Sequence, residues 1–419
     1  MSHKRSSEAV STVRAKTSPN SGDMAEGTEL ESLHLDLFAG DPFNRLLATI
    51  HLGARGRSKA LLRVLVAIGS TWVLLAVLAW IGDVALRLEA RESFLRDVAA
   101  YAQFLIAIPL LIAAEPYVRH HTSMLGEYLS RARILPDHCG QQLATTINRI
   151  GTAQRSPASD GICIVAAYIA TWAWLMGELT NGVSTWHALL AGKTEHLTLP
   201  GLWAGLFAVP LLNYLLFRWI WKVFLWCWFL RSVSRLTLSV VPTHPDGAGG
   251  LGIIGDIQAR FGILIFAVGI MVAATVQHKL AVEHARIADF AVWGVIAEFV
   301  VLAPPVFLAP LLFFTRTLAL TKRAARIEYD ARIAQYGKDV DRKWRTDDIP
   351  YDAENLAADF AGLADARHVY ELVDRMRIVA FDLASAARLA ISAGGPFVPI
   401  VLHFLPLPAP IRSLLEAVK

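Results

Sequence analysis

Seven runs of roughly 20 apolar residues constrain this chain more than any other feature: 61–81, 95–114, 161–179, 199–221, 261–277, 289–314 and 383–405. A helix rises about 1.5 Å per residue, so a run of that length crosses the hydrocarbon of a bilayer. In hydrocarbon no water is available to the backbone, and a helix satisfies every N–H and C=O within the segment. The runs therefore predict an all-α, polytopic membrane helical bundle of about seven transmembrane helices. The third and fifth runs are short and borrow flanking residues to complete a crossing, and Gly394-Gly395-Pro396 interrupts the seventh. A soluble reading of 419 residues fails on composition, because 54% are hydrophobic and only 18% charged, against about 25% charged in a soluble domain.

Charge orients the bundle. Lys and Arg number 8 before the first run, 5 between runs two and three, 3 between four and five and 12 between six and seven. The alternate connections and the C-terminal tail hold 3, 1, 2 and 2. By the positive-inside rule the N-terminus is cytoplasmic and the C-terminus lies outside, which requires an odd number of crossings.

Outside the runs, residues 1–35 are polar and expected to be a disordered tail. Residues 36–60 mix leucine and arginine in the manner of a surface-lying segment. The block 61–315 holds six spans, with a His-Pro-Asp loop at 241–256. Residues 316–382 are expected to form a small helical cytoplasmic appendage, its first helix ending near Gly337. Their 12 basic residues are matched by 13 acidic ones, leaving no basic patch for nucleic acid. Residues 383–419 supply the last helix and a tail. Three cysteines, Cys139, Cys163 and Cys227, suggest neither a disulfide framework nor a zinc site.

Ionisable groups inside apolar runs are the candidates for function. Glu298 lies about 13 Å along the sixth run, near mid-membrane. It reads as a proton or cation site, as one half of an ion pair with Arg218, or as a structural acid locking two helices. Arg218 and Lys222 are one turn apart near the cytoplasmic end of the fourth run. They either snorkel to headgroups among Trp219, Trp221, Trp226 and Trp228, or line an anion path. Glu115 is placed at the cytoplasmic edge, in water.

The loop HPDGAGGLG offers His244 and Asp246 as possible ligands and Gly249 and Gly250 as backbone donors to a phosphate or a partner. The plainer reading is a rigid turn in which Asp246 bonds nearby backbone and the glycines take positive φ. Two ligand types do not make a metal site, the glycines fit no nucleotide fingerprint, and no hydrolase, metalloprotease or redox motif occurs. No catalytic residue, metal or cofactor is assigned.

The segments FLIAIPLLIAAEPYV (104–118), LLFRWIWKVFLWCWFLRSVSRLTLSVVPTHPDGAGGLGIIGD (215–256), DRKW (341–344) and the run from MRIVAFDL (376–383) onward resemble a family of uncharacterised bacterial multi-pass inner-membrane proteins. The resemblance implies an inner-membrane location and the same topology, and carries over no catalytic residue. The sequence thus leaves two main readings. One is a transporter or channel-like protein for a small solute or ion. The other is a membrane scaffold acting through its cytoplasmic loops on a protein partner, or as a homo-oligomer. A lipid-acting enzyme is a third reading, without an acid/base or metal cluster to carry it.

Overall fold

The computed structural model describes residues 57–86, 93–132, 134–180, 185–191, 194–281, 290–345 and 353–404. The tail expected over 1–35, the surface segment up to residue 56, the turn at 347–352 and the C-terminal tail from 405 lie outside the described residues.

The fold is an all-α bundle, and among the described residues seven helical stretches are long and apolar enough to cross a membrane: Leu61–Ile81, Val98–Gly126, Pro157–Gly177, Leu199–Val233, Gly252–Gln277, Val292–Lys343 and Leu383–Leu402. The first combines α1 (Arg57–Ile68) and α2 (Leu74–Ile81) through a π-helical turn. In the second, Asp97 caps the short α3 (Val98–Ala100), and a π-helical segment leads into α4 (Ile108–Arg131). The amphipathic α5 (Gly140–Arg155) runs into α6 (Pro157–Thr180), the third span. A hairpin of β1 (Ala188–Ala191) and β2 (Thr194–Leu197) precedes α7 (Leu199–Trp203), a third π-helical segment and α8 (Val209–Val233).

The fifth span is α9 (Gly252–Arg260) with α10 (Gly262–Ala281). The sixth is α11 (Phe290–Leu308), continued by a 3₁₀ turn into α12 (Thr315–Arg345), against which α13 (Ala353–Arg375) folds back. The seventh is α14 (Leu383–Gly394) with α15 (Val398–Phe404).

Several boundaries differ from the sequence expectation, each for a local reason. The third span starts at Pro157, a residue suited to a first helical position, with Asp160 in the first turn facing the helix dipole. The fifth begins at Gly252, so the loop is shorter than 241–256 and ends on a helix start. At Gly394-Gly395-Pro396 the α-helix passes into a 3₁₀ turn over Gly395–Phe397, which keeps the seventh span whole. The helix α12 passes through Gly337 because α13 packs alongside and supplies contacts that the glycine lacks.

The bundle is cored by Leu75, Phe104, Ile108, Leu111, Trp226, Phe229 and Phe261, all at most 2% exposed. Its outer wall is apolar too: Ile162, Ile169, Trp172, Leu206, Ile220, Val301 and Ile391 are all exposed. An apolar wall around an apolar core is what a bundle solvated by lipid needs. The end opposite the basic connections is closed by Trp186, whose indole donates to Asp97 Oδ2 at 2.8 Å and meets Phe94 edge-on at 5.0 Å.

Candidate functional site

Two buried ion pairs form a charged layer near the basic end of the bundle. Arg218 on α8 holds Asp160 on α6, Nε to Oδ1 at 3.0 Å. One turn further along α8, Lys222 holds Glu115 on α4, Nζ to Oε2 at 3.2 Å. The cations are 2% and 3% exposed. Arg218 also donates from Nη2 to the carbonyl of Gln154, the last buried position of α5, at 3.4 Å. Lys222 rests over the Trp219 ring, 5.1 Å from its centroid. The Tyr214 hydroxyl stands 3.5 Å from Asp160.

The sequence expectation is corrected here in three respects. Arg218 and Lys222 turn into the bundle, where carboxylates on α6 and α4 are within reach, and do not snorkel to headgroups. Glu115 is paired with Lys222 and only 16% of its side chain is exposed. Trp219 and Trp226 are core residues, their indoles donating to Leu111 O at 2.9 Å and Gln258 Oε1 at 2.7 Å, while Trp228 is exposed. The carboxylate partners escaped sequence reasoning because α4 and α6 are distant in the chain. The one available signal was that Asp160 and Glu115 border apolar runs as Arg218 and Lys222 do.

Glu298 takes no part in this layer. It is exposed on the outer face of α11, while Val292 and Ile296 on the inner face pack against α10 and the seventh span. The Arg218–Glu298 pair, one of the readings left open by the sequence, does not form: Arg218 is engaged by Asp160.

Beside the charged layer, α5 and α8 enclose an open groove of about 640 Å³. One stripe of α5, Thr145, Asn148, Arg149, Thr152 and Ser156, lines it opposite Trp228. These positions recur every three or four residues, so one face of α5, Ala153 included, becomes the groove wall, and most of the surface it presents there is apolar.

The His-Pro-Asp loop is a knot centred on Asp246. Its Oδ1 accepts from the N–H of Ala248 at 2.8 Å and of Gly250 at 3.0 Å, and its Oδ2 from the N–H of Gly252 at 2.8 Å. His244 Nδ1 stands 2.9 Å from Oδ1. Burial pushes the Asp246 carboxyl up, but the three backbone donors and His244 outweigh it and hold the group below the usual carboxylate range. Gly247, Gly249 and Gly250 take positive φ. The donors of Gly250 and Gly252 are thus engaged by Asp246 and are not presented to a phosphate. Among the described residues no cluster of three or more His, Cys, Asp or Glu could hold a metal ion.

The knot also ties segments together. Arg377, just past α13, donates from Nη2 to Asp246 O at 2.6 Å and from its backbone to Gly247 O at 2.7 Å. Ser239 N donates to Ile134 O at 2.8 Å, and the Thr237 hydroxyl meets His138 Nε2 at 3.0 Å. Away from this end, π-helical turns occur in the first, second and fourth spans, and the turn at Gly69–Val73 packs on the other two. The Trp203 indole donates to Ser70 O at 2.9 Å within that cluster. Such turns often sit at functional positions, and no sequence signal marked them. Compared with family models, curated proteins and solved structures, the chain matches none.

Proposed function

We propose that this multi-pass integral membrane protein is a transporter- or channel-like protein for a small ion. In this reading the Arg218–Asp160 and Lys222–Glu115 layer is its gate. The observation that carries the proposal is the burial of those two pairs one turn apart on α8. Taking four charges out of water costs more than packing apolar side chains of similar size, and ionisable groups in spans usually mark ion paths. The groove along α5 lies next to the layer, since Gln154 of the same helix touches Arg218, and in this reading it serves as the vestibule. The proposed setting is a bacterial inner membrane with the basic end, groove and loop knot in the cytoplasm.

The test is flux in proteoliposomes under gradients of H⁺, Na⁺, K⁺ and Cl⁻ in turn, read by potential- and pH-sensitive dyes. The wild type should pass at least one of these ions. The doubly apolar variant Arg218→Met with Asp160→Leu should lose that flux while keeping its fold. A folded wild type that passes none, or a variant that passes as much, removes the proposal.

A scaffold is the second reading, favoured by the tie between Arg377 and the loop knot. That tie fixes the α12–α13 hairpin to the spans, as a docking platform requires. Crosslinking in native membranes would then trap a partner that is lost when residues 337–365 are deleted.

A further inference from the structure

We propose that α5 is a hinged cover over the Arg218–Asp160 pair, and that the amide of Gln154 keeps its closed position weak. The proposal concerns the motion of α5 and goes beyond the ion path, since it holds whatever the layer passes. On its inner face α5 carries Leu143, Ile147, Ile150 and Gln154, at i, i+4, i+7 and i+11, the stripe by which a helix packs on a neighbour. The first three are apolar, and the fourth is an amide that is 0% exposed. Among the described residues, neither Nε2 nor Oε1 of that amide has a hydrogen-bond partner. The main-chain carbonyl of Gln154 accepts from Arg218 Nη2 at 3.4 Å, longer than the usual N–H···O bond.

A buried amide without partners costs free energy that contact with water restores. The closed position is therefore disfavoured, by about tenfold, relative to one in which the last turn of α5 lifts and Gln154 is wetted. The surroundings let that turn move. The outer face of α5 is exposed at Gln141, Thr145, Asn148 and Thr152, and the helix packs chiefly on α8. Three large apolar side chains hold it there, which places it at the low-stability end of the fold. At its C-terminal end Ser156 is extended, with φ −66° and ψ 124°, as a residue before proline prefers, and Pro157 starts α6. One non-helical residue between two helices can absorb a swing without unfolding either. The swing parts Gln154 from Arg218 and admits water to a pair that is otherwise buried.

The experiment labels Ile150→Cys, at a position 0% exposed on the inner face of α5, with a water-soluble maleimide. The full-length protein is held in lipid nanodiscs, and peptide mass spectrometry locates the label. Cys163, buried on α6, is the internal reference for opening of the whole bundle. Ile150→Cys should react well before Cys163. Adding Gln154→Leu, or the longer Gln154→Met, gives the stripe a fourth apolar side chain and should slow labelling at position 150 about tenfold, with Cys163 unchanged. Equal rates at the two cysteines overturn the proposal, since α5 then opens only with the bundle. So does labelling at position 150 that both substitutions leave unchanged or accelerate, because the amide would then not be what weakens the closed position. No ion flux enters this readout, so the hinged cover and the ion path stand or fall separately.

Discussion

At the residue scale, Asp246 does more than any other side chain to shape the loop between the fourth and fifth spans. It receives three backbone donors, and its carboxyl is held below the usual range despite burial that pushes the other way. A depressed carboxylate adds stability above its unfolded pKa and loses it as pH falls through the folded value. The apparent melting temperature in detergent should therefore hold near neutral pH and fall below about pH 4, where ordinary Asp begins to protonate. Asp246→Ala, measured the same way at neutral pH, should cost about 2–3 kcal/mol, since three donors lose a charged acceptor. It should also flatten the acid limb. Gly249 gives a separate test of the knot: its φ is +65°, and an added Cβ would collide with Val240 Cγ1. Gly249→Ala should destabilise by about 1–3 kcal/mol, and unchanged melting would mean that the loop adopts another shape. The turn itself was legible in the sequence, because His-Pro-Asp and the glycine cluster carry turn chemistry. The grip of Arg377 on it was not, because nothing in a one-dimensional pattern brings position 377 to 246.

At the element scale, apolar run length was enough to locate all seven spans, since hydrocarbon imposes the length and the backbone imposes the helix. Stops were harder to read. Gly337 looked like a helix end because glycine is a frequent C-terminal cap, yet α12 runs on to Arg345 under the cover of α13. The hairpin is held by Arg326–Asp374 at 2.8 Å and Lys343–Asp359 at 2.6 Å. These pairs are partly exposed and contribute little individually, so the helix at Gly337 relies on packing. A Cβ there would reach only Leu363 Cδ1, at 4.0 Å, an ordinary contact. Gly337→Ala should consequently stabilise the hairpin by about 0.4–1 kcal/mol, read as slower amide exchange across Thr315–Arg345. Faster exchange would place a real helix end at this position. The β-hairpin before the fourth span and the three π-helical turns left no comparable trace, because short strands and a single inserted residue do not alter apolar run length.

At the scale of the whole molecule, the charged layer joins α4, α6 and α8, so its two pairs act on the packing of three spans at once. Charge alternation along the sequence showed which end of the bundle these residues occupy. It could not show that they turn inward, because snorkelling and buried pairing need the same residue at the same depth, and only the partners on other helices decide. The two roles of the layer, fold and gate, separate by comparing single with double substitutions. Asp160→Ala alone leaves Arg218 buried beside Gln154 without its carboxylate and should cost about 3–5 kcal/mol. Arg218→Met with Asp160→Leu removes both charges and fills the space, and should recover most of that loss. The coupling is measured by a double-mutant cycle on apparent melting temperatures in detergent. If the double variant melts as early as Asp160→Ala, the pair is needed for the fold itself, and lost ion flux in that variant would say nothing about a gate. If it melts near the wild type and flux is still gone, the charges serve passage, and the cost of burying them is offset by what they let through.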